Sequence, residues 1–556
     1  MVLFMKRDLQ AMGGKTYDLL VVGCGIYGAF TAREAALRGL SVAVIDRKDF
    51  CGATSANSLK IIHGGLRYLQ QLDFTRVIES ATERRALMRI APHLVHPLPC
   101  AMPTRGFFMR SKLAMFAGML LNDLLTYNRN HDADSEKTIP AGRIVSRAEF
   151  LQLVPGLTDT RFNGAAVWHD ALAYSTERLA VSAVKAAVQA GADAANYTEM
   201  TRFVMEGKKV TGVVVRDVFS GKEVTIKANF VINNTGPWSK ETLGMLGENV
   251  TMPASGLVLE LNLVLKRQIL KNHAVGLAGY RKSDTKERLL FFVPWHGRTM
   301  VGTYCRTHAG RADEAKVLDQ DITSFLEDIN NAFPSAKITR EDISLIHCGI
   351  LPMEEGSENW AAPEPARHYR LVDHGENDGV QGLFTVQGVK YTTARDVAGK
   401  TINEVLRKLG KWDGSVSKSS VTPLPGGDIP DFNHFVNDAK AAAPKGISGD
   451  SFTNLLYSYG TEYKAILDLG RKDDALLKRV GDSSCVIAAE VVNAVRNEMA
   501  QNLADVVFRR TDLGAVGLPD DQTLKACAEI MARECGWDND RVEKEIGLVK
   551  AAVVKV

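Results

Sequence analysis

Between Tyr17 and Asp46 the apolar positions change their period twice. Leu19 to Val22 is an unbroken apolar run, the mark of a strand buried on both faces. Gly23, Gly25 and Gly28 follow at once, then Ala29 to Leu37, which reads as a helix closed by Gly39. A second β-branched run, Ser41 to Ile45, ends on Asp46. Strand, glycine turn, helix, strand and acid in one unit predict a dinucleotide-binding fold. Gly23 allows the tight turn, Gly25 removes the side chain that would block a pyrophosphate, and Gly28 lets the helix sit close on the strand. The phosphates then meet free N–H groups at the positive end of the helix, and Asp46 is placed to accept from a ribose hydroxyl.

Further along, Phe74 to Ile90 has the spacing of a charged amphipathic helix, and Pro92, Pro97, Pro99 and Pro103 are expected to break the chain after it. Phe107 to Tyr127 is apolar, with Arg110 and Lys112 near its start. It has two readings, a buried core helix or a helix lying in a membrane interface by its apolar face. Glu177 to Ala190 is helical in pattern. Val210 to Val218 and Glu223 to Ile226, joined at Ser220-Gly221, read as a hairpin. Phe230 to Asn233 returns as a buried strand and ends in Asn234-Thr235-Gly236-Pro237-Trp238. Alternating patterns at Leu257 to Leu265, Leu289 to Pro294 and Thr299 to Tyr304 predict an antiparallel sheet roofing the cofactor. After the linker Pro423-Leu424-Pro425-Gly426-Gly427 the chain is helical in pattern. Val486 to Arg510 carries one apolar stripe, Ile487, Val491, Val495, Met499, Leu503 and Val506, read as a packing or oligomerisation face, with a homodimer among the expected partners.

Composition narrows the classes. The 556 residues allow two to four domains, and 24% charged residues with a net charge of +3 suggest neither disorder nor a nucleic-acid partner. The eight cysteines form no C-x-x-C pair, so no metal site is expected and the thiols fit a reducing, cytoplasmic setting. The apolar run at the N-terminus is too short for a signal peptide. The longest apolar run, Leu113 to Leu121, is about half of the roughly 20 residues a spanning helix needs.

Candidate chemistry clusters in two places. Thr54, Ser55 and Ser58 put hydroxyls near the cofactor mouth, and Lys60-Ile61-Ile62-His63-Gly64-Gly65-Leu66-Arg67-Tyr68 follows. There Gly64 and Gly65 let the backbone approach a flat ring, while His63, Arg67 and Tyr68 supply a proton acceptor, an anion clamp and a phenol. The second place is Gln387-Gly388-Val389-Lys390-Tyr391-Thr392-Thr393, where Thr392 or Thr393 can cap the next helix. That helix N-terminus and Lys390 would stabilise the negative charge a reduced flavin carries near N1, which favours FAD over NAD.

On these residues the chain resembles the FAD-dependent glycerol-3-phosphate dehydrogenase family, within the D-amino-acid-oxidase-like flavoproteins. The resemblance covers nearly the whole length. It rests on Gly23 to Gly28, on Ala53-Thr54-Ser55 with Lys60 to Leu69, on Asn234 to Trp238, on Gly388 to Arg395 and on Glu490 to Thr511. The implied fold class is α/β: a Rossmann-like FAD-binding domain (15–105, 150–250 and 340–412), an inserted antiparallel-sheet substrate region (106–149 and 251–339) and an all-helical C-terminal domain (425–556). The implied activity is oxidation of the secondary alcohol of glycerol 3-phosphate by hydride transfer to flavin N5, with electrons passed to membrane quinone. The implied setting is cytoplasmic, peripheral on the inner face of the cell membrane. FAD would be held by Gly23, Gly25, Gly28, Asp46, Thr54, Ser55, Ser58, Lys60, Gly64, Gly65, Gly236, Gly388, Val389, Lys390 and Thr392. His63 is the expected base, with Arg67, Tyr68 and Lys390 in catalysis and Arg67, Arg367 and Lys390 on the anionic substrate. The sequence departs from the family where substrate should bind: Leu351 stands where an arginine is usual, Cys305 where an aspartate is usual, and Asn262 where a histidine is usual. These departures leave open another polyol phosphate or hydroxy acid as substrate, an oxygen-using oxidase, or an FAD-binding interaction protein that has lost catalysis.

Overall fold

The computed structural model describes residues 4–106, 108–131, 133–158, 161–247, 250–252, 256–280, 287–354, 363–471 and 473–553. Its first sheet starts as the glycine pattern predicts. Strand β1 (Thr16–Val22) leads through the turn into helix α1 (Ile26–Leu37) and on to β2 (Val42–Ile45), which pairs parallel with β1. On the other side of β1 lies the parallel strand Glu223–Asn233, and beyond it Leu383–Gln387. The outer strands are Asp193–Ala195 beside β2 and Arg370–Asp373 beside Leu383–Gln387; the expected hairpin pairs Lys209–Asp217 with the start of Glu223–Asn233, and Thr198–Glu206 adds to its outer edge. Helix α1 is buried almost all round because helices Thr176–Gln189 and Ala394–Lys408 flank it, which explains an Ala-rich sequence without an apolar stripe. Its one interior cation, Arg33, is fully buried and donates to the carbonyls of Ser419 and Thr422.

The second sheet is mostly antiparallel, in the order Ile343–Pro352, Leu257–Leu265, Arg298–His308, Glu287–Trp295, Ala274–Tyr280, Val95–Thr104, Gly164–Ala173, Ile61–Ile62. Two sequence expectations change here. Val95–Thr104 is a strand, not a broken segment, although it contains Pro97, Pro99 and Pro103. The three prolines share one parity, so their missing N–H groups point to one edge, and the other parity carries the ladder to Gly164–Ala173. The neighbour on the proline edge pairs only at Cys100 and Ala101. The second difference is one of membership. Val95–Thr104, Gly164–Ala173 and Ile343–Pro352 pair in the second sheet, whereas the sequence reading drew those stretches into the first body. Strand partners far apart along the chain leave no local trace in the hydrophobic pattern.

The helix Lys112–Leu125 lies at the protein surface and not in the core. Met115 and Met119 are its buried residues, while Leu113, Phe116, Leu120 and Leu124 lie exposed. In the C-terminal helical region the continuous stripe expected over Val486 to Arg510 is interrupted. Helix Ala488–Glu498 ends at Met499, whose φ of 54° is left-handed, and a short helix Leu503–Asp505 and a π turn Val506–Arg510 follow. Most of the stripe's apolar residues are buried all the same. The break turns Arg509 and Arg510 towards the first sheet, where both donate to Asp49.

Candidate functional site

The two sheets enclose a cavity of about 620 Å³ that runs from the glycine turn to the face of the second sheet. At one end the turn leaves no space for side chains. A Cβ on Gly28 would stand 2.0 Å from the Gly23 carbonyl oxygen, and one on Gly23, at φ 94°, would meet the Asn234 carbonyl oxygen at 2.6 Å. Parallel pairing explains the second clash: β1 and Glu223–Asn233 end together, so the turn Asn234-Thr235-Gly236 closes on the first. Gly25 caps α1 without a side chain, and the Ser55 hydroxyl accepts from Ile26 N at 2.9 Å. Asp46 accepts from Cys24 N at 2.8 Å and from Lys48 N at 2.9 Å. Burial nevertheless raises its carboxyl to about 6. Asn234 Oδ1 and Glu241 Oε2 are buried on this wall with no partner among the described residues. A narrow glycine turn, a helix N-terminus and unsatisfied polar atoms fit the phosphates and sugar of a dinucleotide.

In the middle, the loop at 54–58 bridges the two sheets. Thr54 Oγ1 donates to the Ile350 carbonyl at 2.8 Å and accepts from Ile350 N at 3.1 Å. Ser58 lines the cavity beside it. Opposite stands the Gly388 to Thr392 turn, fastened by Tyr27, whose hydroxyl donates to the Lys390 carbonyl at 2.8 Å and accepts from Val389 N and Lys390 N. A Cβ on Gly388 would strike the Tyr27 ring at 2.1 Å. Neither Thr392 nor Thr393 caps the next helix through its side chain. Thr393 is the cap residue without a side-chain bond, and the Thr392 hydroxyl accepts from His63 N at 3.2 Å.

Three expected cofactor contacts point elsewhere. Lys60 is fully buried and donates to Glu177 at 2.5 Å, Ala56 O and Thr176 Oγ1, so it braces the helix behind the loop. Gly64 and Gly65 admit helix Phe74–Ile90, not a flat ring: a Cβ would meet Arg84 Nη1 at 2.0 Å in one case and Val77 Cα at 2.9 Å in the other.

At the far end the reactive groups converge. His63 Nδ1 lies 3.1 Å from Asp170 Oδ2, and Asp170 Oδ1 accepts from Gly64 N at 2.7 Å. Burial alone would raise the Asp170 carboxyl, but the bond from His63, the Arg84 guanidinium and Gly64 N hold it below the usual range. An ionised Asp170 requires the proton on Nδ1, which leaves Nε2 as an acceptor. Nothing in the sequence around Asp170 marked this role, because strand Gly164–Ala173 reaches His63 only through the sheet. Lys390 Nζ sits 3.9 Å from the centroid of the Tyr68 ring, and Arg76 lies 4.5 Å from the same centroid. Burial first, then the Arg76 charge, lowers the Lys390 amine to about 8. Arg67 lines the cavity with no hydrogen bond or ion pair among the described residues. Arg367 also lines it, but its guanidinium donates to Glu364 at 2.9 Å and its charge is already balanced. The arrangement can hold an anion beside a proton acceptor.

Residues 18–390 match the model of the FAD dependent oxidoreductases, and residues 417–542 match the C-terminal domain of alpha-glycerophosphate oxidase. A glycerol-3-phosphate dehydrogenase of Synechocystis is 31% identical, over 97% of each chain. An alpha-glycerophosphate oxidase of Streptococcus pyogenes is 28% identical, over 97% of this chain and 95% of its own. Among solved structures, the glycerol-3-phosphate dehydrogenase of Bacillus halodurans complexed with FAD superposes with a TM-score of 0.75. It is 23% identical and the match covers 98% of this chain and 95% of that one.

Proposed function

The chain belongs to the family of FAD-dependent glycerol-3-phosphate dehydrogenases and oxidases, and on that footing we propose that it oxidises the secondary alcohol of glycerol 3-phosphate to the ketone. It is an oxidoreductase, its fold is the α/β FAD-binding type with an antiparallel second sheet and a helical C-terminal domain, and its cofactor is FAD. The observation that carries the substrate reading is the His63–Asp170 pair facing the same cavity as Arg67, Tyr68 and Lys390.

The residues divide the work as follows. Gly23, Gly25, Asp46, Ser55, Gly236 and the Gly388 to Thr392 turn would hold FAD, which when bound supplies the two-electron acceptor for the hydride. Arg67 and Lys390 bind the phosphate and fix the polyol against His63. His63 takes the hydroxyl proton at Nε2 as the C–H bond on the same carbon gives up its electron pair, which leaves the carbonyl. Asp170 holds the ring in that tautomer and stabilises the imidazolium. Anaerobic flavin bleaching tests the reading with glycerol 3-phosphate and a panel of polyol phosphates and hydroxy acids. Rapid bleaching by glycerol 3-phosphate supports it, and bleaching only by another compound replaces the substrate.

For the electron acceptor we favour quinone at a membrane surface over oxygen. The support is the apolar face of helix Lys112–Leu125, exposed with Phe108 and Met109 beside it. No helix among the described residues is long and apolar enough to cross a membrane. A dye-coupled assay with detergent-solubilised quinone separates the two, since an oxidase releases peroxide without either.

A further inference from the structure

We propose that Glu260, Asn262 and Thr303 form a hydroxyl-recognising wall, which takes the free hydroxyl end of a polyol phosphate whose phosphate lies at Arg67 and Lys390. This rests on the polyol-phosphate reading above and names the other half of the same site.

Strand Leu257–Leu265 carries Glu260 and Asn262 between Arg298–His308 and Ile343–Pro352. Glu260 is register partner to Cys305 on one side and Gly349 on the other. Gly349 has no side chain to cover the carboxyl, and a Cβ there would already touch Thr54 Cγ2 at 3.3 Å. The Glu260 carboxyl therefore faces the cavity with one weak partner among the described residues, Cys305 Sγ at 3.5 Å. Glu364, Asp73 and Asp46 are satisfied, by Arg367, by Arg76 and by two backbone N–H groups, and Glu241, whose Oε2 has no partner among the described residues, stands at the dinucleotide end. Asn262, two residues on along the same strand, lines the cavity as well. Its Nδ2 donates to the Asn57 carbonyl at 3.2 Å, and its Oδ1 lies buried against Gly302, where a Cβ would meet it at 2.0 Å.

A cavity-facing acceptor that lacks a strong donor, with Asn262 and Thr303 lining the cavity beside it, calls for a donor from the ligand. No cation stands among the residues with which these three strands line the cavity, and Leu351 adds an apolar surface. A phosphate placed here would face the Glu260 carboxyl, whereas Arg67 and Lys390, which also line the cavity, offer it charge. The polarity of the two walls thus orients the substrate. Burial pushes the Glu260 carboxyl up to about 7, as expected of an acid still short of donors.

The test compares two ketone phosphates by calorimetry on the FAD-loaded protein at pH 8, dihydroxyacetone phosphate and hydroxyacetone phosphate, which lacks the terminal hydroxyl. A wall built to bond that hydroxyl binds the deoxy compound at least about tenfold more weakly. In Glu260→Val the two bind within about twofold of each other while the bound-flavin spectrum is unchanged, and Glu260→Gln retains part of the discrimination. Equal binding of both ketones by the unaltered protein, with glycerol 3-phosphate still bleaching the flavin, overturns the wall and leaves the function standing. Failure of both ketones to bind together with failure to bleach overturns the polyol-phosphate reading, and this proposal with it.

Discussion

Asp49 and Arg510, 461 residues apart in the chain, form a fully buried bidentate pair, with Nη1 to Oδ2 and Nη2 to Oδ1 both at 2.8 Å. Arg509 adds a third bond to the same carboxylate, and Asn196 donates a fourth at 2.9 Å. Asp49 lies three residues past Asp46 and opens the loop that carries Thr54 and Ser55, so the C-terminal helices grip the edge of the cofactor cavity.

Breaking that pair removes two of the four bonds to a buried carboxylate and leaves Arg509 as its one cation, at a cost approaching the roughly 3–5 kcal/mol of a broken buried ion pair. Arg510→Ala is expected to lower the unfolding temperature and to release FAD on gel filtration, and Arg510→Lys to do so less, since lysine lacks the planar fork. A variant that unfolds at the wild-type temperature and keeps its flavin refutes the coupling. Burial would raise the Asp49 carboxyl, but Arg510 and Arg509 hold it below its ordinary value. Its contribution is thus complete above about pH 4 and is lost as pH falls further.

His63→Asn is expected to retain FAD and to lose roughly 10²–10⁴ in kcat/KM, the range for a positioned base. Asp170→Asn retains the ring but removes the ionic partner of Nδ1, so the rate falls while FAD is retained. Steady-state kinetics over pH 5–9, with flavin content measured in parallel, checks both, and full turnover by His63→Asn disproves the assignment of the base.

Lys390 has its amine lowered to about 8, so its cation is present below that pH and lost above it. The KM for an anionic substrate is expected to climb above pH 8 while kcat changes less, until substrate binding itself holds the proton. Lys390→Met should show the high KM at every pH. A flat KM from pH 7 to 9 in the wild type argues against Lys390 as the anion clamp.

On helix Lys112–Leu125, Leu113 is 79% and Leu124 64% exposed, with Phe116 and Leu120 between them. Leu113→Glu with Leu124→Glu is expected to cut co-sedimentation with anionic vesicles several-fold and to slow reduction of vesicle-borne quinone. Reduction of a soluble dye should be unchanged. Equal co-sedimentation of the double variant and the wild type removes this face from the membrane reading.

What the sequence by itself determined is local. Gly23, Gly25 and Gly28 occupy positions where a Cβ would strike backbone or a neighbouring hydroxyl, and Leu19 to Val22 and Val42 to Ile45 are buried on both faces. Such requirements are written within a few residues, so the first strand, helix and strand, helix Phe74–Ile90 and the hairpin were all legible. The cavity likewise gathers His63, Arg67, Tyr68 and Lys390, as their clustering in two short stretches suggested. Only the tertiary structure decided which groups complete that cluster. Asp170 reaches His63 across 107 residues, Tyr27 holds the Lys390 turn across 363, and Glu260 faces the cavity because its register partner is a glycine. It also packed Lys60 and the Gly64-Gly65 pair outside the cavity lining, against Glu177 and helix Phe74–Ile90. The physical reason is that a side chain's type fixes what it can bond, while strand register and helix packing fix what it meets.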